Sequence, residues 1–118
     1  KLLYCCGNYA TKLEFGSTVE GEIGMHPYAK EIAQKVIEEL DIDGIVGFDF
    51  ILLSDGSAKL LDINLRVTAS AQFYAKAGCN IPWLRCKQLL GYDISKESIS
   101  IDYGLNMVKY FDAHYFHN

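Results

Sequence analysis

With 118 residues, half of them hydrophobic and 22% charged, the chain has the length and composition of one globular domain and no more. A net charge of -4 gives no electrostatic reason to expect nucleic acid, whose binding rests on Lys and Arg neutralising phosphates. No apolar run approaches the roughly 18–20 residues of a membrane span, so neither nucleic acid nor membrane is an expected partner.

In chain order, residues 2–6 and 11–15 read as two short strands joined through the turn-prone Gly7-Asn8. Lys12 and Glu14 then share one face of the second strand, with Leu13 and Phe15 on the other. Residues 16–24 are polar and glycine-rich and read as a loop. Pro27 suits a first helical position, where its missing N–H costs nothing. Ala29, Ile32, Ala33, Val36, Ile37 and Leu40 recur at the helical period, with Lys30, Glu31, Gln34, Lys35, Glu38 and Glu39 opposite, and Asp43-Gly44 ends the helix.

Two strands follow, residues 45–53 and 58–67, joined through Asp55-Gly56, the strongest short hairpin signal. Residues 69–77 and 82–90 read as helices stopped by Gly78 and Gly91, and residues 103–111 as a closing strand. There is no internal repeat or linker.

The four cysteines, Cys5, Cys6, Cys79 and Cys86, contain no CxxC pair. They read as reduced thiols behaving as small buried hydrophobes in a cytoplasmic protein. The chain opens directly into a strand-like run without an initiator Met, and reads as the second half of something longer.

The hairpin carries the chemistry. With Asp55-Gly56 as a two-residue turn, Ser54 pairs with Ser57, Asp49 lies across from Asp62, and Gly47 across from Asn64. Alternation then projects Asp49, Asp62, Asn64 and Arg66 from one face, and Phe48, Phe50, Leu52, Leu61, Ile63 and Leu65 from the other. Two full charges about 5 Å apart repel by roughly 3 kcal/mol at an effective dielectric near 20. A bound cation turns that repulsion into shared attraction, and carboxylate plus amide oxygens suit Mg²⁺ or Mn²⁺. Magnesium keeps waters and takes phosphates as further ligands, so an open face with few protein ligands points to a nucleotide. Arg66 could grip a phosphate or carboxylate. The plainer reading pairs Asp62 with Arg66 or Lys59, leaves Asp49 to water and ties Asn64 to a loop.

At these residues the sequence resembles the ATP-grasp superfamily. The stretch Gly47-Phe48-Asp49-Phe50-Ile51-Leu52, then Asp55-Gly56, then Leu60-Leu61-Asp62-Ile63-Asn64-Leu65-Arg66 is similar to that family's metal-binding hairpin. There an acid or Gln on the first strand and a Glu-x-Asn-x-Arg run on the second bind the magnesium ions of MgATP. Val67-Thr68-Ala69-Ser70 and Ala77-Gly78-Cys79-Asn80-Ile81-Pro82 look like the family's continuation, and the likeness covers about residues 21–91. It is nearest to the carbamoyl-phosphate-synthetase-like carboxylate–amine ligases.

The resemblance implies an α+β fold, the C-terminal ATP-grasp lobe, with an antiparallel sheet packed against helices. It implies Asp49, Asp62 and Asn64 as metal ligands, and Arg66 as the catalytic, nucleotide-binding contact to a phosphate or acyl phosphate. Lys12 is either a phosphate or substrate contact or a solvated strand lysine. The cofactors are ATP and Mg²⁺ or Mn²⁺. The implied reaction activates a small carboxylate as an acyl phosphate, from which an amine or thiol displaces phosphate.

Position 62 is Asp where the family usually has Glu, and position 65 is Leu where Pro is common. The glycine-rich phosphate loop, its lysines and the adenine-binding hinge have no counterpart here, and are expected in an N-terminal lobe or partner subunit. The isolated chain is then expected to be inactive, and a homodimer stays open. A second reading is a degenerate ATP-grasp-like module kept for protein association, against which the intact opposed acids argue.

His26 could reach a phosphate, although a loop or capping position needs no function. His114 and His117 form at most a weak metal pair near the C-terminus. Trp83, Tyr92, Tyr103, Tyr110, Tyr115 and Phe116 are expected in a core or at an interface with the other lobe. Gly16-x4-Gly21 is no phosphate loop, lacking the Lys-Ser/Thr that would follow.

Overall fold

The structure, a computed structural model, describes residues 1–110. Eight elements follow one another: β1 (Asn8–Glu14), β2 (Ser17–Ile23), α1 (Pro27–Glu39), β3 (Gly47–Leu52), β4 (Ala58–Asn64), α2 (Ala71–Lys76), α3 (Ile81–Leu89) and β5 (Asn106–Val108). The fold is α+β, as expected, with two antiparallel sheets: one in the order β1-β2-β5, and the hairpin β3-β4.

The N-terminal region departs from the sequence reading. Residues 2–6 form no strand, and the segment read as a loop is β2. The turn is Phe15-Gly16, both residues left-handed at φ 50° and 72°, with Glu14 pairing Ser17 across it. Two positive φ values make the turn whose twist matches a hairpin. Val19, Gly21 and Ile23 alternate inward along β2. A glycine in the middle of that stripe disguised the strand. It is required there because a Cβ on Gly21 would lie 2.8 Å from the Tyr9 carbonyl oxygen.

Helix α1 buries Ala29, Ala33 and Ile37, one turn apart on a single face, and carries a Glu31–Lys35 ion pair of 2.8 Å on its solvent side. It ends before Asp43-Gly44. Leu40 is the C-cap, and Asp41 takes the left-handed position at φ 48°. The Ile42 N–H closes back on the Ile37 carbonyl and the Asp41 N–H on that of Glu38, satisfying carbonyls the helix leaves open. Leu40, expected in the apolar stripe, is therefore exposed.

The core lies between the three-stranded sheet and α2. Ile23, Phe73 and Ala77 are its buried centre, with Cys6, Tyr74, Ile101, Leu105 and Met107 packed around them. Helix α3 starts at Asn80, whose side chain accepts from the Trp83 N–H.

Of the aromatic residues expected in a core or at an interface with the other lobe, Trp83, Tyr92, Tyr103 and Tyr110 are each more than half exposed and lie outside this chain's core. Cys79 is fully buried, Cys5 and Cys6 partly, and Cys86 is exposed; all four are free thiols. The expected closing strand shortens to β5. Residue 111, at the end of that expected strand, and His114, Tyr115, Phe116 and His117 lie outside the described residues. No described helix is long and apolar enough to cross a membrane.

Candidate functional site

Strands β3 and β4 set Asp49 opposite Asp62 and Gly47 opposite Asn64. The loop between them is not the expected two-residue turn. Leu53 donates its N–H to the Ser57 carbonyl at 2.9 Å, leaving Ser54, Asp55 and Gly56 as a three-residue loop with Gly56 left-handed at φ 82°. The Asp55 carboxylate accepts from the Ser57 N–H and hydroxyl, which holds its own pKa low. Near the loop the pairs are Leu52 with Ala58, Ile51 with Lys59 and Phe50 with Leu60, one step off the expected register. A bulge at Leu61 absorbs the extra step and restores Asp49 to Asp62.

The apolar face changes accordingly. Leu60 takes the place expected for Leu61, pairing with Phe50, while Leu61 is 61% exposed. Phe48, Phe50 and Ile63 are half-buried, and Leu52 and Leu65 are exposed.

Asn64 ties the two acids together. Its Nδ2 donates to Asp62 at 3.1 Å and to Asp49 at 3.4 Å. Asp62 accepts a further bond from the Ile63 N–H at 2.9 Å, which fixes its carboxylate at the strand surface. The two carboxylates, and the Asn64 amide once its Oδ1 is turned toward them, would offer oxygen donors at an exposed edge. That donor chemistry fits Mg²⁺ or Mn²⁺, which prefer hard oxygen ligands. No group of three or more His, Cys, Asp or Glu capable of caging a metal occurs among the described residues. An ion here would take waters or phosphate oxygens for most of its shell, which is the usual condition of magnesium.

Arg66 lies beyond the end of β4. Its N–H bonds to the Asn64 carbonyl at 2.8 Å, and its guanidinium donates to the Val67 carbonyl at 3.1 Å. It lines an open cavity of about 520 Å³ together with Leu40, Asp43, Gly44 and Arg85. Arg85 reaches that cavity from α3 and grips Asp43 through two bonds of 3.0 and 3.2 Å. Lys12 stands in the other sheet, opposite Glu20, with its ammonium 2.9 Å from Glu14; the bond to Glu14 raises its pKa. His26 occupies the N-cap of α1 without capping it, and its Nδ1 is buried with no hydrogen-bond partner.

Two supporting contacts were not legible in the sequence. A Cβ on Gly47 would lie 2.1 Å from the Thr68 methyl, so glycine at this position lets the 65–70 segment fold back over the hairpin end. Tyr74 of α2 donates its hydroxyl to Asn8 of β1 at 2.8 Å. Burial is the main cause that pushes its phenol up to about 12; a hydrogen bond with Ser70 opposes this, while Cys6, Cys5 and Asp49 add to it. Tyr74 therefore packs against the core and ties α2 to β1. A lone Tyr in a short helix gives no sequence signal for such a role.

Residues 11–111 match a protein-family model described as ATP-grasp in the biosynthetic pathway with Ter operon. No curated protein and no solved structure matches the chain.

Proposed function

Because the chain belongs to the ATP-grasp family, we propose that it contributes the metal-binding part of an ATP-dependent carboxylate–amine or carboxylate–thiol ligase. The observation that carries this reading is the Asn64 amide held between the Asp49 and Asp62 carboxylates. Rotating that amide about its last torsion turns Oδ1 toward the carboxylates and yields three oxygens facing one point. When bound, Mg²⁺ would neutralise phosphate charge and hold ATP for transfer of its terminal phosphoryl group.

The chain's own part is positioning. Asp49 and Asp62 are fixed by the ladder, Asp62 also by the Ile63 N–H, and Asn64 by the residue it faces across the strand, Gly47. Arg66 lies just past these ligands with four of its five N–H donors uncommitted among the described residues, and would hold a phosphate or acyl-phosphate oxygen. Lys12 has a weaker claim, since its charge is already met by Glu14. The substrate would be a small carboxylate activated as an acyl phosphate, from which the nucleophile displaces phosphate. The phosphate loop, its lysines and the adenine pocket belong to a second lobe, so this chain alone binds the ion weakly and does not turn over. The hairpin resembles that of the carbamoyl-phosphate-synthetase-like ligases, and a cytoplasmic setting suits an ATP-consuming enzyme.

Paramagnetic broadening of amide signals by Mn²⁺ tests the ligand set. Broadening centred on Asp49, Asp62 and Asn64, and lost in Asp62→Ala, is the expected result. Broadening that persists unchanged in Asp62→Ala removes the proposed ligands.

A further inference from the structure

The open cavity of about 520 Å³ past the end of the hairpin has the size of a small-molecule site. Three parts of the chain build it: the linker from α1 to β3 brings Asp43, the segment after β4 brings Arg66, and α3 brings Arg85. Asp41 and Gly44, at φ 48° and 113°, set the course of the linker. A Cβ on Gly44 would lie 3.8 Å from the Arg85 Nη2, so the linker backbone passes close to that guanidinium.

The charges in this cavity differ in how far they are committed. Arg85, with its side chain 24% exposed, spends its fork on the two Asp43 oxygens at 3.0 and 3.2 Å, and its Nη1 also donates to Gln88 at 2.6 Å. Asp43 is thereby fixed in place, yet its side chain is 81% exposed, and a carboxylate has about four lone-pair sites of which Arg85 takes two. Arg66 gives one N–H to the Val67 carbonyl and keeps the others uncommitted among the described residues. The cavity therefore presents one carboxylate and one guanidinium, each able to take a further partner. Ile42, Ile45 and Val67 line it as well, together with Leu40 and Leu65, which are 64% and 72% exposed and leave apolar surface for a ligand to cover.

We propose that this cavity seats the carboxylate substrate, and that the substrate is an aliphatic amino acid with its carboxylate on Arg66 and its ammonium on Asp43. Calling the ligand a substrate rests on the ligase reading; its binding does not. A guanidinium alone would accept any anion, but a second negative group on the ligand would meet Asp43. A plain amine would meet the like charge of Arg66. A ligand carrying both signs satisfies both side chains, and each wrong partner is rejected by one of them. The aliphatic walls select a hydrocarbon body. The Arg66 N–H bonds to the Asn64 carbonyl at 2.8 Å, so a carboxylate held by Arg66 is delivered at the end of the strand that carries Asp62 and Asn64.

Amide chemical shifts of the full chain, titrated with L-leucine without metal or ATP, test this. Saturable shifts centred on Gly44, Ile45, Arg66 and Val67 are expected. Isocaproate, which is leucine without its ammonium, and isoamylamine, which is leucine without its carboxylate, should each bind about tenfold more weakly or worse, the loss expected for a charge-assisted hydrogen bond. Asp43→Asn should weaken L-leucine and isoamylamine but not isocaproate, and Arg66→Gln should weaken L-leucine and isocaproate but not isoamylamine. A merely structural role for either residue would not split the ligands in this way. Should a variant fail to fold, the three ligands on the unmodified chain still decide. δ-Aminovalerate separates the two sources of the same chemistry: tighter binding than L-leucine assigns ω-amino acids, weaker binding α-amino acids. Shifts that never saturate, isocaproate binding as tightly as L-leucine, or undiminished L-leucine affinity in Asp43→Asn would each overturn the proposal. Because the titration contains no metal, its failure leaves the ligand set of the hairpin standing, and a failed Mn²⁺ experiment leaves the amino-acid site standing.

Discussion

Asp62 stands opposite Asp49 because Leu61 is an extra residue in β4: one pair nearer the loop, Phe50 already meets Leu60. The ladder bends to bring two like charges together, and the Asn64 amide donates to both. Like charges directly opposed in a sheet destabilise it by about 0.2–1 kcal/mol.

Asp62→Asn should therefore raise stability in the absence of metal by roughly that amount, about 0.2–1 kcal/mol, since both carboxylates are exposed and solvent screens them. The same substitution should remove the gain from the ion. At a Mn²⁺ concentration 100 times the dissociation constant, the unmodified chain gains about 2.7 kcal/mol and the variant little. Urea unfolding with and without Mn²⁺ measures both. A variant that is less stable without the ion, yet gains as much from it, would show that Asp62 is structural.

Gly47→Ala should cost about 1–3 kcal/mol, the range for forcing extra atoms into a packed contact, because the new methyl would lie 2.1 Å from the Thr68 Cγ2. The loss should be largely recovered in Gly47→Ala/Thr68→Ser, which removes that methyl group. Thermal melts of the single and double variants decide this; a double variant no better than the single would place the strain elsewhere, in the backbone of β3.

Which parts of this architecture were readable in advance follows from the range of the forces involved. Helix α1 and the β3–β4 pairing are written in local periodicity, and a two-residue turn, one residue shorter than the loop the chain adopts, still sets Asp49 across from Asp62. The bulge at Leu61 cancels that error, and no local rule announces a bulge on a leucine. Strand β2 escaped because Gly21 interrupts its apolar alternation, and the reason for that glycine is the Tyr9 carbonyl on a neighbouring strand. The same holds for Gly47 with Thr68 and for Tyr74 with Asn8: each is a contact between elements, which propensity does not encode. Strand alternation puts Arg66 on the face of the acids only if β4 continues, but the strand stops two residues earlier, at Asn64.

Phe15 holds a left-handed backbone at φ 50° while its side chain is fully exposed. No packing offsets the strain, since a non-glycine residue at positive φ is disfavoured unless it is Asn or Asp. Phe15→Asn creates the Asn-Gly pair that this turn prefers, and should stabilise the chain by about 0.5–1 kcal/mol. The thermal midpoint provides the measurement. A lower midpoint would mean that the Phe15 ring has a partner that offsets its strain.

Tyr74 gives the fold a dependence on alkaline pH whose sign can be worked out. Its phenol is pushed up to about 12 in the folded chain, chiefly by burial, whereas an exposed tyrosine titrates near 10. Below about pH 10 the phenol is protonated in both folded and unfolded chains, and its contribution is fully present. Between about pH 10 and pH 12 the unfolded chain releases the proton while the folded chain keeps it, so unfolding is favoured as pH rises. The loss approaches about 2–3 kcal/mol once pH passes the folded value, because each unit of difference is worth about 1.4 kcal/mol. Other tyrosines and lysines also titrate in this window, so the comparison must be with Tyr74→Phe. That variant forfeits the hydrogen bond to Asn8, about 0.5–1.5 kcal/mol at neutral pH. In exchange it should lose less stability than the unmodified chain between about pH 10 and pH 12. Urea midpoints measured on both proteins across that interval should converge and then cross. Parallel curves would assign the alkaline loss to other groups and leave Tyr74 with a purely structural hydrogen bond.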